Sequence, residues 1–175
     1  MERFAAYDQP AMTEQEAAFF LQSTRARLNQ GVPVTITEYQ LNSYLNSAIM
    51  MEHSLALKPW VKPTGIYCDL SPDTADICIE RTIKGRIHQS QITIKSSTDK
   101  KAREGYLSVK TKITPTGGMI GKLKLPTKAA LALNPWYQDL VELTHPLRNE
   151  LRLHHCEVTI AEDQLTITPL YRGAE

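Results

Sequence analysis

The chain has 175 residues, 42% hydrophobic and 22% charged, an ordinary globular balance long enough to bury a core without disulfides or metal. Twenty basic against nineteen acidic side chains give a formal charge of +1, which excludes a uniformly basic nucleic-acid coat, and three cysteines cannot complete a disulfide framework. No apolar run reaches the roughly 18 residues of a membrane helix, and residues 1–10 hold no apolar signal core.

No linker, low-complexity tract or internal repeat breaks the chain, so one domain over residues 1–175 is expected, with an N-terminal helix within 1–31 and a sheet-and-helix core over 32–171. Thr13 followed by Glu16 is a capping box, and it opens a helix from about Glu14 to Asn29. That helix turns Ala17, Phe20, Leu21, Thr24 and Leu28 inward and Gln15, Gln22, Arg25 and Asn29 to water, and it stops at Gly31. Val32, Val34 and Ile36 alternate as a short strand. Thr37 with Gln40 makes a second capping box, before a stripe of Leu41, Tyr44, Leu45, Ala48 and Ile49 at helical spacing.

From about Gly65 the period switches to two for some fifty residues. Ile66, Cys68 and Leu70 alternate; Ser71-Pro72-Asp73-Thr74 suits a type I turn; Ala75, Ile77 and Ile79 follow. This pairs Leu70 with Ala75, Cys68 with Ile77 and Ile66 with Ile79. Cys68 then points inward and Cys78 outward, on opposite faces, so no bridge between them is expected. Ile83 and Ile87 occupy odd positions but Ile92 and Ile94 even ones, which predicts a bulge or bend between His88 and Gln91. Asp99 to Glu104 reads as a charged turn, and Leu107, Val109 and Ile113 as the inward side of the next strand. The stretch from Thr116 to Gly121 reads as a turn before Lys122 to Pro126 resumes the alternation. Helical pattern then returns, Asn134-Pro135 interrupts it, and Pro135 opens a helix bearing Trp136, Leu140, Leu143, Leu147 and Leu151, kinked at Pro146. Two alternating segments, Leu153 to Ile160 and Leu165 to Leu170, close the chain as a hairpin. The expected class is α+β: a curved antiparallel β-sheet, meander plus C-terminal hairpin, packed on or rolled around amphipathic helices.

No motif names a reaction. Gly121-Lys122 has Thr116 where a phosphate-binding P-loop needs its first Gly, and Leu123 where it needs Ser or Thr. His154-His155-Cys156 offers too few convergent groups for zinc, since alternate strand residues face apart. Asp69, Asp73 and Asp76 lack the EF-hand spacing, and there is no Gly-x-Ser-x-Gly elbow. Catalytic residues, metal and cofactors are therefore all expected to be absent.

Charge patterning says more. Residues 1–80 hold five basic and ten acidic side chains, 81–130 twelve and two, and 131–175 three and seven. In the basic block Lys84, Arg86, Lys95, Lys110 and Lys112 alternate with apolar residues and are expected to share the solvent face of the sheet, where they would hold anions or lipid headgroups. The competing structural reading is a solvated face whose lysines oppose edge pairing. Only Tyr106 lies among these strands, too few aromatics for base stacking. Leu41, Leu45, Ile49, Trp136, Leu140, Leu143 and Leu147 would line the interior, as a filled core or as an apolar groove.

The stretch Ile36-Thr37-Glu38-Tyr39-Gln40-Leu41-Asn42-Ser43-Tyr44-Leu45 resembles the Thr/Ser-Glu-x-x-Leu-Asn-x-x-Leu helix opening of bacterial cell-envelope proteins with a tubular lipid-binding, or TULIP-like, fold. The resemblance covers about residues 32–171 and implies a sheet rolled round a long helix, with no catalytic residues. On that basis the expected function is a non-enzymatic, envelope-associated domain that binds a lipid-like amphiphile, with an anionic membrane surface as partner. The expected location is periplasmic or envelope-associated if an N-terminal anchor has been removed, and cytoplasmic otherwise. The reading from another class is a protein or nucleic-acid interaction module on the same basic face.

Overall fold

The computed structural model describes residues 11–51, 61–103, 106–133 and 156–170. Its first helix, α1 (Glu14–Asn29), has the bounds expected from sequence. Thr13 N–H donates to the Glu16 carboxylate at 2.8 Å, and Glu16 N–H donates to Thr13 Oγ1 at 3.3 Å. The bonds that the Thr13 N–H and hydroxyl donate to the Glu16 carboxylate hold that carboxyl below its usual range. Gly31, at φ 73, ends the element in the left-handed region that glycine occupies without strain. Ala17, Thr24 and Leu28 are buried, and Gln15, Gln22, Arg25 and Asn29 are exposed.

Strand β1 (Val34–Thr37) leads into α2 (Glu38–Met51) through the second capping box, in which Thr37 and Gln40 exchange backbone and side-chain bonds at 3.0 and 3.2 Å. The meander follows: β2 (Val61–Ser71), β3 (Thr74–Ile83), β4 (Arg86–Arg103), β5 (Tyr106–Ile120) and β6 (Leu123–Pro126). Helix α3 (Thr127–Leu133) comes next, and β7 (Cys156–Ala161) and β8 (Gln164–Pro169) close the described chain. The fold is α+β, with an antiparallel five-stranded sheet in the order β2-β3-β4-β5-β6. The C-terminal hairpin does not join this meander. It pairs with β1 in a second sheet of order β1-β8-β7, Val34 lying opposite Ile167 and Ile36 opposite Leu165.

The β2–β3 register is the expected one, with Leu70, Cys68 and Ile66 opposite Ala75, Ile77 and Ile79. The turn between them has only Pro72 and Asp73 outside the strands, and Asp73 lies at φ 63, which a type I turn does not use. The bulge expected between His88 and Gln91 is absent, because β3 and β4 pair without interruption from Ile83–Arg86 to Thr74–Lys95. The extra residue is Thr116 on β5, where the register steps from Thr93–Gly117 to Ile94–Pro115. Ile87 consequently turns outward and is exposed.

Gly117 and Gly118 are strand residues, and the turn is Gly121-Lys122. A Cβ on Gly118 would collide with the Gln91 carbonyl and lie 2.9 Å from the buried Ala130 Cβ of α3, so helix and strand meet there at backbone distance. The charged segment from Asp99 is not a loop either, since β4 pairs with β5 as far as Arg103–Tyr106.

The helices cover one face of the five-stranded sheet, called inner here. Ile66, Cys68, Leu70, Ala75, Ile77, Ile79 and Ile92 pack there with Ala17, Tyr44, Leu45 and Ile160. Leu28, Val34, Ile36, Cys156 and Ile167 form a second cluster between α1 and the small sheet. Three bonds lock the turns together: Asp73 N–H to the Ile160 carbonyl, Asp163 N–H to Leu70 and Glu38 N–H to Asp163.

Candidate functional site

Helix α2 holds its place by an unusual set of contacts. Ile66, Cys68 and Leu70 turn their N–H groups away from β3, on the open edge of the sheet, where unpaired groups invite aggregation. Asn42 meets Cys68 twice, its Nδ2 donating to the Cys68 carbonyl at 2.9 Å and its Oδ1 accepting from Cys68 N–H at 2.6 Å. Asn46 does the same for Ile66 at 2.8 and 3.0 Å, and Leu70 N–H donates to Glu38 Oε2 at 2.7 Å. Residues 38, 42 and 46 recur every four on the helix, and 70, 68 and 66 every two on the strand. A carboxamide carries the same donor and acceptor as a peptide group, so α2 stands in for a neighbouring strand. The Glu and Asn of the Glu-x-x-Leu-Asn stretch are thus fixed by an edge-sealing task.

That seal sets Leu45 into the core and Leu41, half-buried, between the two apolar clusters. Ile49 belongs to α2, but its side chain lies outside the described residues, as do Trp136, Leu140, Leu143 and Leu147 altogether. The β4–β5 register continues past Ile94, with Ile113, Val109 and Leu107 opposite Ser96, Lys100 and Ala102. This stretch of β4 and β5 runs past the start of β3, where Thr74 pairs with Lys95.

The five basic residues expected on one face separate into two groups. Lys95 is exposed and pairs with Thr114, whereas Lys110 and Lys112 pair with Asp99 and Ser97, their side chains lying outside the described residues. Arg86 has the opposite parity along the uninterrupted β4 and falls on the other face, and Lys84 sits in the β3–β4 turn at φ 49. About 30 Å of strand separates Arg86 from Lys95. Their common face depended on the bulge that is absent. The long hairpin extends β4 through Lys101 and Arg103, which pair with Ser108 and Tyr106. Reading 99–104 as a turn hid them; the alternation of Leu107 and Val109 right up to Gly105 was the signal that the strands run further.

Among titratable groups, Glu38 is held above the usual carboxylate range by burial, opposed by the Leu70 N–H and reinforced by Asp69, Asp163 and Glu162. Cys68, Cys78 and Cys156 are free thiols, all buried. Cys68 and Cys78 lie on opposite faces as expected, yet Cys78 is 1% exposed, so the outer face is covered there too. Burial, with Glu80 and Asp76 nearby, pushes the Cys78 thiol up to about 11, and burial pushes Cys68 higher still. Asp76 accepts a hydrogen bond from the Thr93 hydroxyl. Among the described residues no three His, Cys, Asp or Glu side chains converge as a metal site, and no helix is long and apolar enough to cross a membrane. His154 and His155 lie outside the described residues. No protein-family model and no curated protein matches the chain.

Proposed function

We propose that the protein binds a lipid-like amphiphile against the inner face of its sheet and performs no catalytic step, as an envelope-associated domain of TULIP-like kind. The observation that carries this reading is the backbone register of β4 and β5, which run on together past Thr74, the first residue of β3, in a stretch whose sequence alternates Leu107, Val109 and Ile113. An acyl chain laid on that row exchanges water for apolar contact, worth about 0.8 kcal/mol per buried CH2. Lys100, paired with Val109, suits an anionic headgroup, and the basic residues carried by the same two strands, Lys95, Lys101, Arg103, Lys110 and Lys112, would draw the domain to an anionic surface through salt-sensitive attraction.

Mass spectrometry of the protein purified without detergent tests the interior site. The expected result is a co-purifying amphiphile that Val109→Asp removes; protein that is ligand-free from its native host and takes up no fatty acid or phospholipid overturns the reading. Lys110→Glu with Lys112→Glu should lower vesicle binding about tenfold at low salt and little at high salt. Salt-sensitive binding to nucleic acid with none to vesicles would favour the interaction-module reading instead.

A further inference from the structure

Six large apolar side chains stand exposed among the described residues, and three gather at one end of the five-stranded sheet: Ile87 at 66%, Leu123 at 65% and Ile120 at 37%. Two hairpin turns make this end, Lys84-Gly85 between β3 and β4 and Gly121-Lys122 between β5 and β6. They are neighbours, since Gly121 N–H donates to the Gln89 carbonyl at 3.1 Å, two residues along β4 from Ile87. Ile120 and Leu123 pair directly across β5 and β6 on the inner face, whereas Ile87 has outer parity. The apolar groups therefore straddle the sheet end as a wedge, which suits end-on entry into a soft medium better than a flat protein interface.

Among the described residues, the two turns and the strand residues flanking them carry charges of one sign. Residues 81–89 and 119–128 contain six Lys or Arg and no Asp or Glu. Lys84, Arg86, Lys122, Lys124 and Lys128 are all exposed. Glu80, just before this end, is held by the Thr64 hydroxyl at 3.0 Å and the Gln89 amide at 3.1 Å. Apolar side chains at a tip with a collar of cations match a bilayer's acyl interior beneath anionic headgroups.

We infer that the sheet end formed by the β3–β4 and β5–β6 turns inserts into anionic bilayers, with Ile87, Ile120 and Leu123 below the headgroups and Lys84, Arg86, Lys122 and Lys124 among them. The inference shares a membrane setting with the proposed function but rests on a different part of the sheet. Tip entry gives a salt-resistant part of binding, whereas the basic residues far along β4 and β5 give a salt-sensitive part.

The test uses the full chain with an environment-sensitive fluorophore at Ile87→Cys, Leu123→Cys or, as a control on an exposed position of β7, Thr159→Cys; the native thiols are buried. With vesicles of phosphatidylcholine and phosphatidylglycerol, the fluorophores at 87 and 123 should shift to the blue and be quenched from within the bilayer, and that at 159 should not. Ile87→Asp with Leu123→Asp, both at exposed sites, should leave the melting temperature in place and weaken the high-salt binding on the order of 100-fold. Vesicle binding with every fluorophore still in water overturns the inference, as does the absence of vesicle binding. An amphiphile that still co-purifies with the Asp variant would then leave the interior site standing, and its absence alongside blue-shifted tips would do the reverse.

Discussion

At the scale of single residues, Asn42 carries more of the fold than its polarity suggests. It is among the most buried side chains and satisfies both backbone groups of Cys68. Asn42→Ala leaves that N–H and carbonyl buried without partners and should cost about 2–4 kcal/mol in chemical denaturation. Asn42→Asp keeps the acceptor and loses the donor, and should cost more at neutral pH than in acid. Glu38 bears on pH in a definite sense. Its carboxyl is raised from 4.5 in the fold, so its contribution is complete below that value and is lost as pH rises through the folded value. Glu38→Gln keeps an acceptor for Leu70 N–H without the charge. It should therefore raise the melting temperature at pH 7 and have little effect at pH 4; an equal gain at both would rule out charge as the cause. Gly118→Val should be severely destabilising because the Gln91 carbonyl and Ala130 already occupy the space of its side chain. The thiols of Cys68 and Cys78, buried and with raised pKa, should resist alkylation at pH 8 in the native protein and react on unfolding.

At the scale of elements, what sequence disclosed was local. The capping boxes at Thr13 and Thr37 fixed two helix starts, because each cap is made within four residues. The Leu70–Ala75 pairing followed from a short turn between matched alternations. Partners far away were not legible. The parity change near His88 has two explanations, a bulge or an exposed isoleucine, and only the register of β4 chose the second. Glycines 117 and 118 read as a turn because a strand that needs close helix contact and a loop ask for the same residue. Of the expected site, Leu45 is buried, Leu41 is half-buried and Lys95 is exposed, whereas Lys84 and Arg86 do not share the Lys95 face. The helix-for-strand seal also has a built-in length. Four helical residues rise about 6.0 Å and two strand residues about 6.7 Å, so mismatch grows by about 0.7 Å per rung. Three rungs keep it near 1.4 Å. The position where a fourth would fall on α2 is Met50, which offers no donor. Asn46→Ala, at the end of this ladder, should cost less than Asn42→Ala at its centre, a ranking that denaturation of the pair checks.

At the scale of the whole molecule, the two sheets are sewn together at one corner, where the turns of β2–β3 and β7–β8 and the start of α2 exchange backbone bonds. Ser96 belongs to the same seam, its N–H donating to the Asp73 carbonyl at 2.9 Å and its hydroxyl to that of Val158 at 3.3 Å. Removing one stitch with Ser96→Ala should lower stability by about 1 kcal/mol and speed hydrogen exchange at β7 before β3. The pairing of β1 with β8 has a consequence for biosynthesis. Strand β1 leaves the ribosome more than a hundred residues ahead of the strand it pairs with. At about 5–20 residues per second, it waits on the order of ten seconds. Through that interval Val34 and Ile36 have no strand beside them, and the Asp73 amide has no carbonyl to meet. The nascent chain can assemble the meander early, but its N-terminal layer closes only when the last hairpin arrives.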